Sequence, residues 1–147
     1  MSNPVPYAVT HHVRDHCLCL HAQRAARMLA RRFDLALRPV GLTNGQFSLM
    51  MGLNRPTPAR MRDLVALLAM DRTSLTAMLK PLERRGLIAN AVDAHDRRNR
   101  FLTLTPAGEA TLAEAVPIWR ATHALIDATC ADQDGEGLRA GLRALAA

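Results

Sequence analysis

Hydrogen-bonding and cationic side chains are concentrated in one ten-residue stretch near the middle of the chain. They offer N–H and O–H donors and hydroxyl acceptors, which are the groups that bind phosphate oxygens and base edges in DNA. No bulky apolar side chain blocks the side on which they lie, so they can approach a duplex closely. These predicted DNA-binding residues are Arg72, Thr73, Ser74, Thr76, Ala77 and Lys80.

A helix must position these side chains. Leu75, Leu79 and Leu82 recur at the spacing of one helical face, so the polar residues lie on the other face. Asp71 precedes the helix and can accept a hydrogen bond from a free main-chain N–H. Residues 62–68 form a second short helix just upstream. Two short helices with a tight connection predict a helix-turn-helix, whose second helix enters the major groove.

Two strands are predicted to follow, over residues 87–92 and 100–105. The segment between them is polar and dense in charge. A hairpin with a basic tip beside a helix-turn-helix is a winged helix, and its arginines can reach the minor groove, where negative potential is concentrated. A hairpin whose charges serve only solubility is the alternative. The predicted DNA contacts of this region are Arg97, Arg98, Asn99 and Arg100, and those near the entry to the helix-turn-helix include Arg60.

Three motifs in this order and spacing resemble the MarR family of bacterial winged-helix regulators. They are Leu82-Glu83-Arg84-Arg85-Gly86-Leu87-Ile88, then Asp96-Arg97-Arg98, then Leu102-Thr103-Leu104-Thr105-Pro106-Ala107-Gly108. The resemblance covers roughly the whole chain. It implies an obligate homodimer that binds pseudo-palindromic double-stranded DNA, usually as a repressor. It also implies release by a small phenolic or other organic effector, or by thiol oxidation in some branches.

The resemblance also implies roles for wing residues. Asp96 and Arg98 are expected to form an ion pair that shapes the wing, and a wing-tip arginine is expected to enter the minor groove. Pro81 departs from the family pattern inside the proposed recognition helix, and Ala69 stands where a turn glycine is common. Because proline removes one helical hydrogen bond and crowds the preceding turn, we expect a bend near residues 77–81.

Composition limits the class of protein. The 147 residues carry a net charge of +6, and residues 54–108 hold nine Arg and one Lys against five acids. Positive charge therefore accompanies the winged helix, as a phosphate-binding surface requires. Aromatic residues make up only 3% of the chain, which argues against single-strand binding on stacked rings. No nucleophile motif, phosphate loop or metal-spaced carboxylate set is present, so we expect neither an enzyme nor a cofactor.

The chain is expected to be mainly α-helical with a small β-hairpin wing: a winged helix-turn-helix with a helical dimerisation region. Residues 1–53 supply an N-terminal arm and helices on the dimer and pocket side, residues 54–105 the DNA-binding region, and residues 106–147 the C-terminal dimerisation helices. Together they make one MarR-like domain. A long first helix is expected over residues 9–37. Its apolar face and those of the last two helices exceed what the winged helix can cover, which favours a homodimer.

Histidines and cysteines crowd the start of that first helix. His12 and His16 share a helical face, as do Cys17 and His21, so a metal site is conceivable. Cys17 and Cys19 would point about 200° apart on a continuous helix, which disfavours joint ligation. We therefore expect no metal, with helix-end histidines and core cysteines as the simpler interpretation. A redox switch at Cys17 or Cys19 is the second interpretation, in which Cys130 of the other subunit could be the partner thiol.

The resemblance places an effector pocket where the first, second and fifth helices meet the winged helix. Among the residues expected to line it, Arg24 could pair with a ligand carboxylate, and the remaining candidates could enclose a flat organic ring. The alternative is that these are ordinary core or dimer residues. The pocket candidates are His21, Arg24, Met28, Gln46, Met50 and Trp119.

The remaining expectations concern location and partners. No signal peptide and no apolar run of about 20 residues is apparent, so a cytoplasmic protein without membrane contact is expected. Three cysteines make no disulfide framework, which agrees with a reducing compartment. A winged-helix protein-interaction module without DNA binding is the remaining alternative, and the basic surface distinguishes the two.

Overall fold

The computed structural model describes residues 3–147 and is mainly helical with one small antiparallel sheet. Its elements, in chain order, are α1 (Tyr7–His16), α2 (Leu18–Ala36), a short 3₁₀ turn (Arg38–Val40), α3 (Asn44–Leu53), β1 (Ala59–Arg60), α4 (Met61–Leu68), α5 (Arg72–Arg84), β2 (Ile88–Val92), β3 (Arg100–Leu104), α6 (Pro106–Thr129) and α7 (Gly135–Leu145). The predicted fold class is confirmed. No helix among the described residues is long and apolar enough to cross a membrane.

The core lies under the helix-turn-helix. Leu75, Leu79 and Leu82 of α5 are each at most 1% exposed, as their spacing predicts. They belong to one buried cluster with side chains from α3, α4 and β3. Burying a leucine contributes roughly 1.5–3 kcal/mol, so this face fixes which side of α5 turns outward.

Two helix starts are capped by threonine side chains. The Thr43 hydroxyl accepts from the Gln46 main-chain N–H at 3.2 Å, while Gln46 Oε1 accepts from the Thr43 N–H at 3.0 Å. The Thr105 hydroxyl accepts from the Gly108 N–H at 3.0 Å, and Pro106 occupies the first position of α6. These contacts satisfy N–H groups that a helix start leaves without partners.

The prediction of one continuous first helix is wrong at Cys17. Cys17 adopts an extended backbone (φ −73°, ψ 108°), which separates α1 from α2. α1 buries none of its residues. Because no packing against the core holds α1 in line with α2, the axis is free to break. The Cys17 sulfur then takes the capping position and accepts from the Leu20 N–H at 3.4 Å.

The sheet has a third strand that the sequence did not indicate. Its order is β1-β3-β2, and both pairings are antiparallel. β1 contains two residues, with Ala59 opposite Leu102 and Arg60 opposite Phe101. A two-residue strand is too short to show an alternating pattern, which explains why it was missed. It ties the segment before α4 to the base of the wing.

Both internal prolines lie within continuous helices. α5 spans Pro81 and α6 spans Pro117. The bend expected near residues 77–81 stays a prediction.

Candidate nucleic-acid interface

The outward face of α5 presents the side chains that the sequence predicts. Thr73, Ala77 and Lys80 are exposed and lie on the side of the helix opposite the buried leucines, and Arg72 is exposed at its first turn. Within residues 3–147, neither Arg72 nor Lys80 forms an ion pair. Their charges are therefore available to an external anion.

Asp71 caps this helix through two hydrogen bonds. Its Oδ1 accepts from the Ser74 main-chain N–H at 2.8 Å, and its Oδ2 accepts from the Ser74 hydroxyl at 2.7 Å. These bonds hold the pKa of Asp71 below its ordinary value. The capping carboxylate therefore stays ionised to a lower pH than a free aspartate side chain would.

Two hydroxyls of this face already donate hydrogen bonds within the protein. Ser74 donates to Asp71, and Thr76 donates to the Arg72 carbonyl at 2.8 Å. A hydroxyl whose proton is engaged retains lone pairs that accept hydrogen bonds. Ser74 and Thr76 are thus suited to accept from base amino groups, while Arg72 and Lys80 donate.

The wing presents a second cationic cluster. Arg97, Arg98 and Arg100 are exposed, and none of them forms an ion pair within the described part of the chain. The expected ion pair between Asp96 and Arg98 is replaced by a main-chain contact, because the Arg98 N–H donates to Asp96 Oδ1 at 3.0 Å. Asn99, half-buried at the tip, closes the turn by donating its N–H to the Asp96 carbonyl at 2.9 Å. The Arg98 guanidinium is left outside this turn.

Arg60 is placed differently from the other predicted contacts. Its guanidinium lies 5.4 Å from the centre of the Phe101 ring, and its Nη2 is 3.9 Å from Asp93 Oδ2. The side chain is therefore engaged with the base of the wing. Its direct contact with DNA stays a prediction.

Arg84 was missed as a candidate contact. It is exposed and lies on the same outward line of α5 as Thr73, Ala77 and Lys80. Its spacing of four residues from Lys80 would have identified it.

The six pocket candidates do not converge on one cavity of the single chain. Met50 is fully buried, the Gln46 side chain is used in the cap of α3, and His21, Arg24 and Met28 are exposed. Trp119 does border a groove of about 610 Å³ between α3, α4 and α6. Its lining residues are Phe47, Ser48, Met51, Gly52, Leu67, Leu68, Val116, Trp119 and Arg120. The assignment of the other five as pocket residues remains a prediction.

The cysteines and histidines near the first two helices are not arranged as a set of metal ligands in the described residues. The three cysteines are free thiols, with Cys17 and Cys130 half-buried and Cys19 exposed. The His12 and His16 rings stack 4.2 Å apart. Among the described residues, no group of three or more potential ligands is arranged to hold a metal ion.

The family of the chain follows from its comparison with known proteins. The MarR family model matches residues 42–99, from the start of α3 to the tip of the wing. The transcriptional regulator MosR of M. tuberculosis, solved in complex with DNA, is 37% identical, with a TM-score of 0.81 over 89% of this chain and 94% of that one. The chain belongs to the MarR family. Homologues in this family are transcriptional regulators and not enzymes, so the chain is a MarR-type DNA-binding transcriptional regulator.

Two further relatives of this MarR-family chain extend the comparison. The repressor CouR, solved on a 23-mer DNA duplex, is 28% identical, with a TM-score of 0.81 over 92% of this chain and 96% of that one. CouR of Rhodococcus jostii RHA1 has also been solved with p-coumaroyl-CoA, at 20% identity to this chain, which shows the shared fold. The activatory protein BadR of Rhodopseudomonas palustris is 35% identical over 88 residues, which are 58% of this chain and 50% of BadR. The match thus spans only half the length of that curated relative.

Proposed function

We propose that this MarR-family protein binds a pseudo-palindromic duplex site as a homodimer and represses transcription until a small organic ligand releases it. The observation that carries the proposal is the set of cations on α5 and the wing that no acid of the described chain neutralises. Arginine and lysine left unpaired on one surface are the groups that neutralise DNA phosphates.

Each half of the dimer would use two elements. The outward face of α5 would lie in the major groove, and the wing arginines would reach the adjacent minor groove. The proposed base and phosphate contacts are Arg72, Thr73, Ser74, Thr76, Ala77, Lys80, Arg84, Arg97, Arg98, Asn99 and Arg100.

Exposed apolar faces support the homodimer. Tyr7 and Val13 of α1 are 71% and 51% exposed, and Leu138 and Leu142 of α7 are 52% and 49% exposed. Neither helix buries a single residue within the described chain. A second copy of the chain, placed across a two-fold axis, would cover these faces with its own.

The operator can be found by selecting bound fragments from the source genome. The bound fragments should share an inverted repeat whose half-sites are about 34–36 Å apart, one turn of DNA. Sites that overlap promoters would support repression. Sites upstream of promoters would favour activation, as the name of BadR describes. Selected fragments without any shared repeat would contradict the proposal that a homodimer binds two half-sites.

The groove between α3, α4 and α6 is our candidate effector site. Its walls are mainly apolar, and Arg120 at its edge forms no ion pair within residues 3–147. A volume of about 610 Å³ suits a small organic molecule. Because the groove joins the first helix of the helix-turn-helix to α6, a ligand there could alter how the two DNA-reading units are spaced. A coupling of about 1–3 kcal/mol would suffice.

Ligand binding should change the fluorescence of Trp119, the single tryptophan of the chain. Titration with phenolic acids should shift or quench its emission and weaken DNA binding over the same concentration range. Ser48→Phe should fill the groove and remove both responses. Ala110→Phe, at an exposed position of α6 outside the groove, is the matched control and should keep both. Release of DNA without a change in Trp119 emission would place the effector elsewhere.

Thiol sensing is a second candidate, favoured by the break at Cys17. Cys17 is not helical and lies at the junction between α1 and α2. The Cys17 sulfur also caps α2, so its oxidation would disturb the junction of α1 and α2.

Cys17→Ser should therefore remove any response of DNA binding to peroxide. Serine is a good capping residue, so α2 should keep its start and the reduced affinity should be unchanged. Electrophoretic mobility assays with and without peroxide provide the measurement. A Cys17→Ser protein that still loses DNA on oxidation would exclude Cys17 as the sensor.

A further inference from the structure

Arg60 occupies a position that does not suit its side chain. It is the residue at which α4 begins, where Ser, Thr, Asp or Asn normally accept a hydrogen bond from the first turn. A guanidinium has donors only and cannot accept. The Arg60 side chain makes no capping bond, and only its main-chain N–H takes part, donating to Asp63 Oδ2 at 2.9 Å. The side chain must therefore serve something other than the helix.

That side chain lies across the base of the wing. Arg60 of β1 pairs in register with Phe101 of β3, and its guanidinium lies 5.4 Å from the centre of the Phe101 ring. Its Nη2 is 3.9 Å from Oδ2 of Asp93, the residue that follows β2. The contact thus joins the start of α4 to both strands of the wing.

Asp93 is the buried charge of this region. It is 5% exposed and is the one charged or polar residue of the described chain in the buried class. Its Oδ1 accepts from the His95 N–H at 2.8 Å, and its own N–H donates to the Asn99 carbonyl at 3.1 Å. A buried carboxylate requires a cation and hydrogen bonds to offset its lost hydration. Arg60 supplies the cation, and the His95 main-chain N–H supplies a hydrogen bond.

We propose that Arg60, Asp93 and Phe101 form a latch that fixes the angle of the wing against the helix-turn-helix and so sets the affinity for DNA. Arg60 is then a positioning residue, and the wing-tip arginines make the contact. The inference rests on the proposed function, because it requires the wing to touch DNA.

The latch and a direct phosphate contact predict opposite signs for one substitution. Asp93→Asn removes a negative charge next to Arg60 while its amide oxygen can still accept from His95. If Arg60 bound a phosphate, loss of this neighbouring anion should leave DNA binding unchanged or tighten it. The latch predicts that Asp93→Asn weakens DNA binding, although the protein becomes more positive.

The double variant Arg60→Ser, Asp93→Asn separates the latch from the stability of the fold. Serine supplies the missing acceptor at the start of α4 and no buried carboxylate is left without its cation, so the midpoint of thermal unfolding should be unchanged or higher. DNA affinity should nevertheless fall. A substitution that keeps or improves stability while it weakens binding cannot act by unfolding the protein.

The test is a titration of a selected operator fragment with wild-type protein, Asp93→Asn, Arg60→Ser, the double variant and Arg98→Ala at ~0.1 M salt. We expect each latch variant to bind about tenfold more weakly and the double variant to be no weaker than either, because both remove one contact. The plot of log affinity against log salt concentration should become less steep even for Asp93→Asn, which removes no cation.

Three results would overturn the latch. Unchanged or tighter binding by Asp93→Asn, with Arg98→Ala weakened, rejects the latch and leaves the wing contact in place. Additive losses in the double variant show that Arg60 and Asp93 act independently. If Arg98→Ala binds like wild type, the wing contact itself fails, and the latch fails with it.

Discussion

Replacing Lys80 and Arg98 together with alanine should reduce operator affinity about 100-fold at ~0.1 M salt. Lys80 lies on the outward face of α5 and Arg98 at the wing tip, and neither has an acidic partner within residues 3–147. Under the proposed function, each cation would therefore contribute its charge to the DNA interface and not to the fold. Because the two lie on separate elements, their single losses should be roughly additive.

The matched control for this variant is Arg14→Ala with Arg143→Ala. It removes the same number of positive charges, but Arg14 pairs with Asp15 at 2.6 Å and Arg143 pairs with Glu136 at 2.7 Å, on helices away from the winged helix. Its affinity should stay within a few-fold of wild type in the same mobility or fluorescence-anisotropy titration. Equal losses in the two double variants would mean that net charge, and not this surface, governs binding.

Gly108→Ala should destabilise the protein severely, by about 3 kcal/mol or more in chemical denaturation. Gly108 is buried in the first turn of α6, where it packs on the main chain of Leu87, just before β2. A Cβ on Gly108 would lie far inside van der Waals contact of the Leu87 carbonyl oxygen and 3.0 Å from its carbonyl carbon. These are main-chain atoms, so they cannot move aside as a flexible side chain could.

Gly141→Ala is the comparison for this substitution. Gly141 lies inside α7, and, apart from the backbone of its own helix, no atom of residues 3–147 is within 4 Å of the Cβ that it would gain. Since alanine favours the helix more than glycine does, its free energy of unfolding should rise by up to about 1 kcal/mol. If Gly108→Ala unfolds like wild type, the close packing of α6 against Leu87 is incorrect.

Parts of the structure with strong local signals were predictable from sequence. Leu75, Leu79 and Leu82 repeat at helical spacing and are buried as expected, which fixes the outward face of α5. Thr43 and Thr105 carry side-chain acceptors at helix starts and cap α3 and α6. In these cases one residue and its near neighbours determine the structure, so a single sequence suffices.

Features that depend on contacts distant in sequence were not predictable. The pattern over the first 37 residues gives no sign that Cys17 leaves the helix, because the break reflects the absence of packing around α1. β1 is defined only by its pairing with β3, more than 40 residues away. Arg60 looked like an ordinary phosphate contact, and only the fold brings it to Asp93 and Phe101.

The salt dependence of binding to a selected operator tests the central claim most directly, namely that unpaired cations on α5 and the wing bind duplex phosphates. Each neutralised phosphate should contribute about −0.9 to the slope of log affinity against log salt concentration. We predict a slope of several units for the wild-type protein and a smaller one for the Lys80→Ala, Arg98→Ala variant. A protein that binds no duplex at low ionic strength, or whose affinity does not change with salt, would contradict the account.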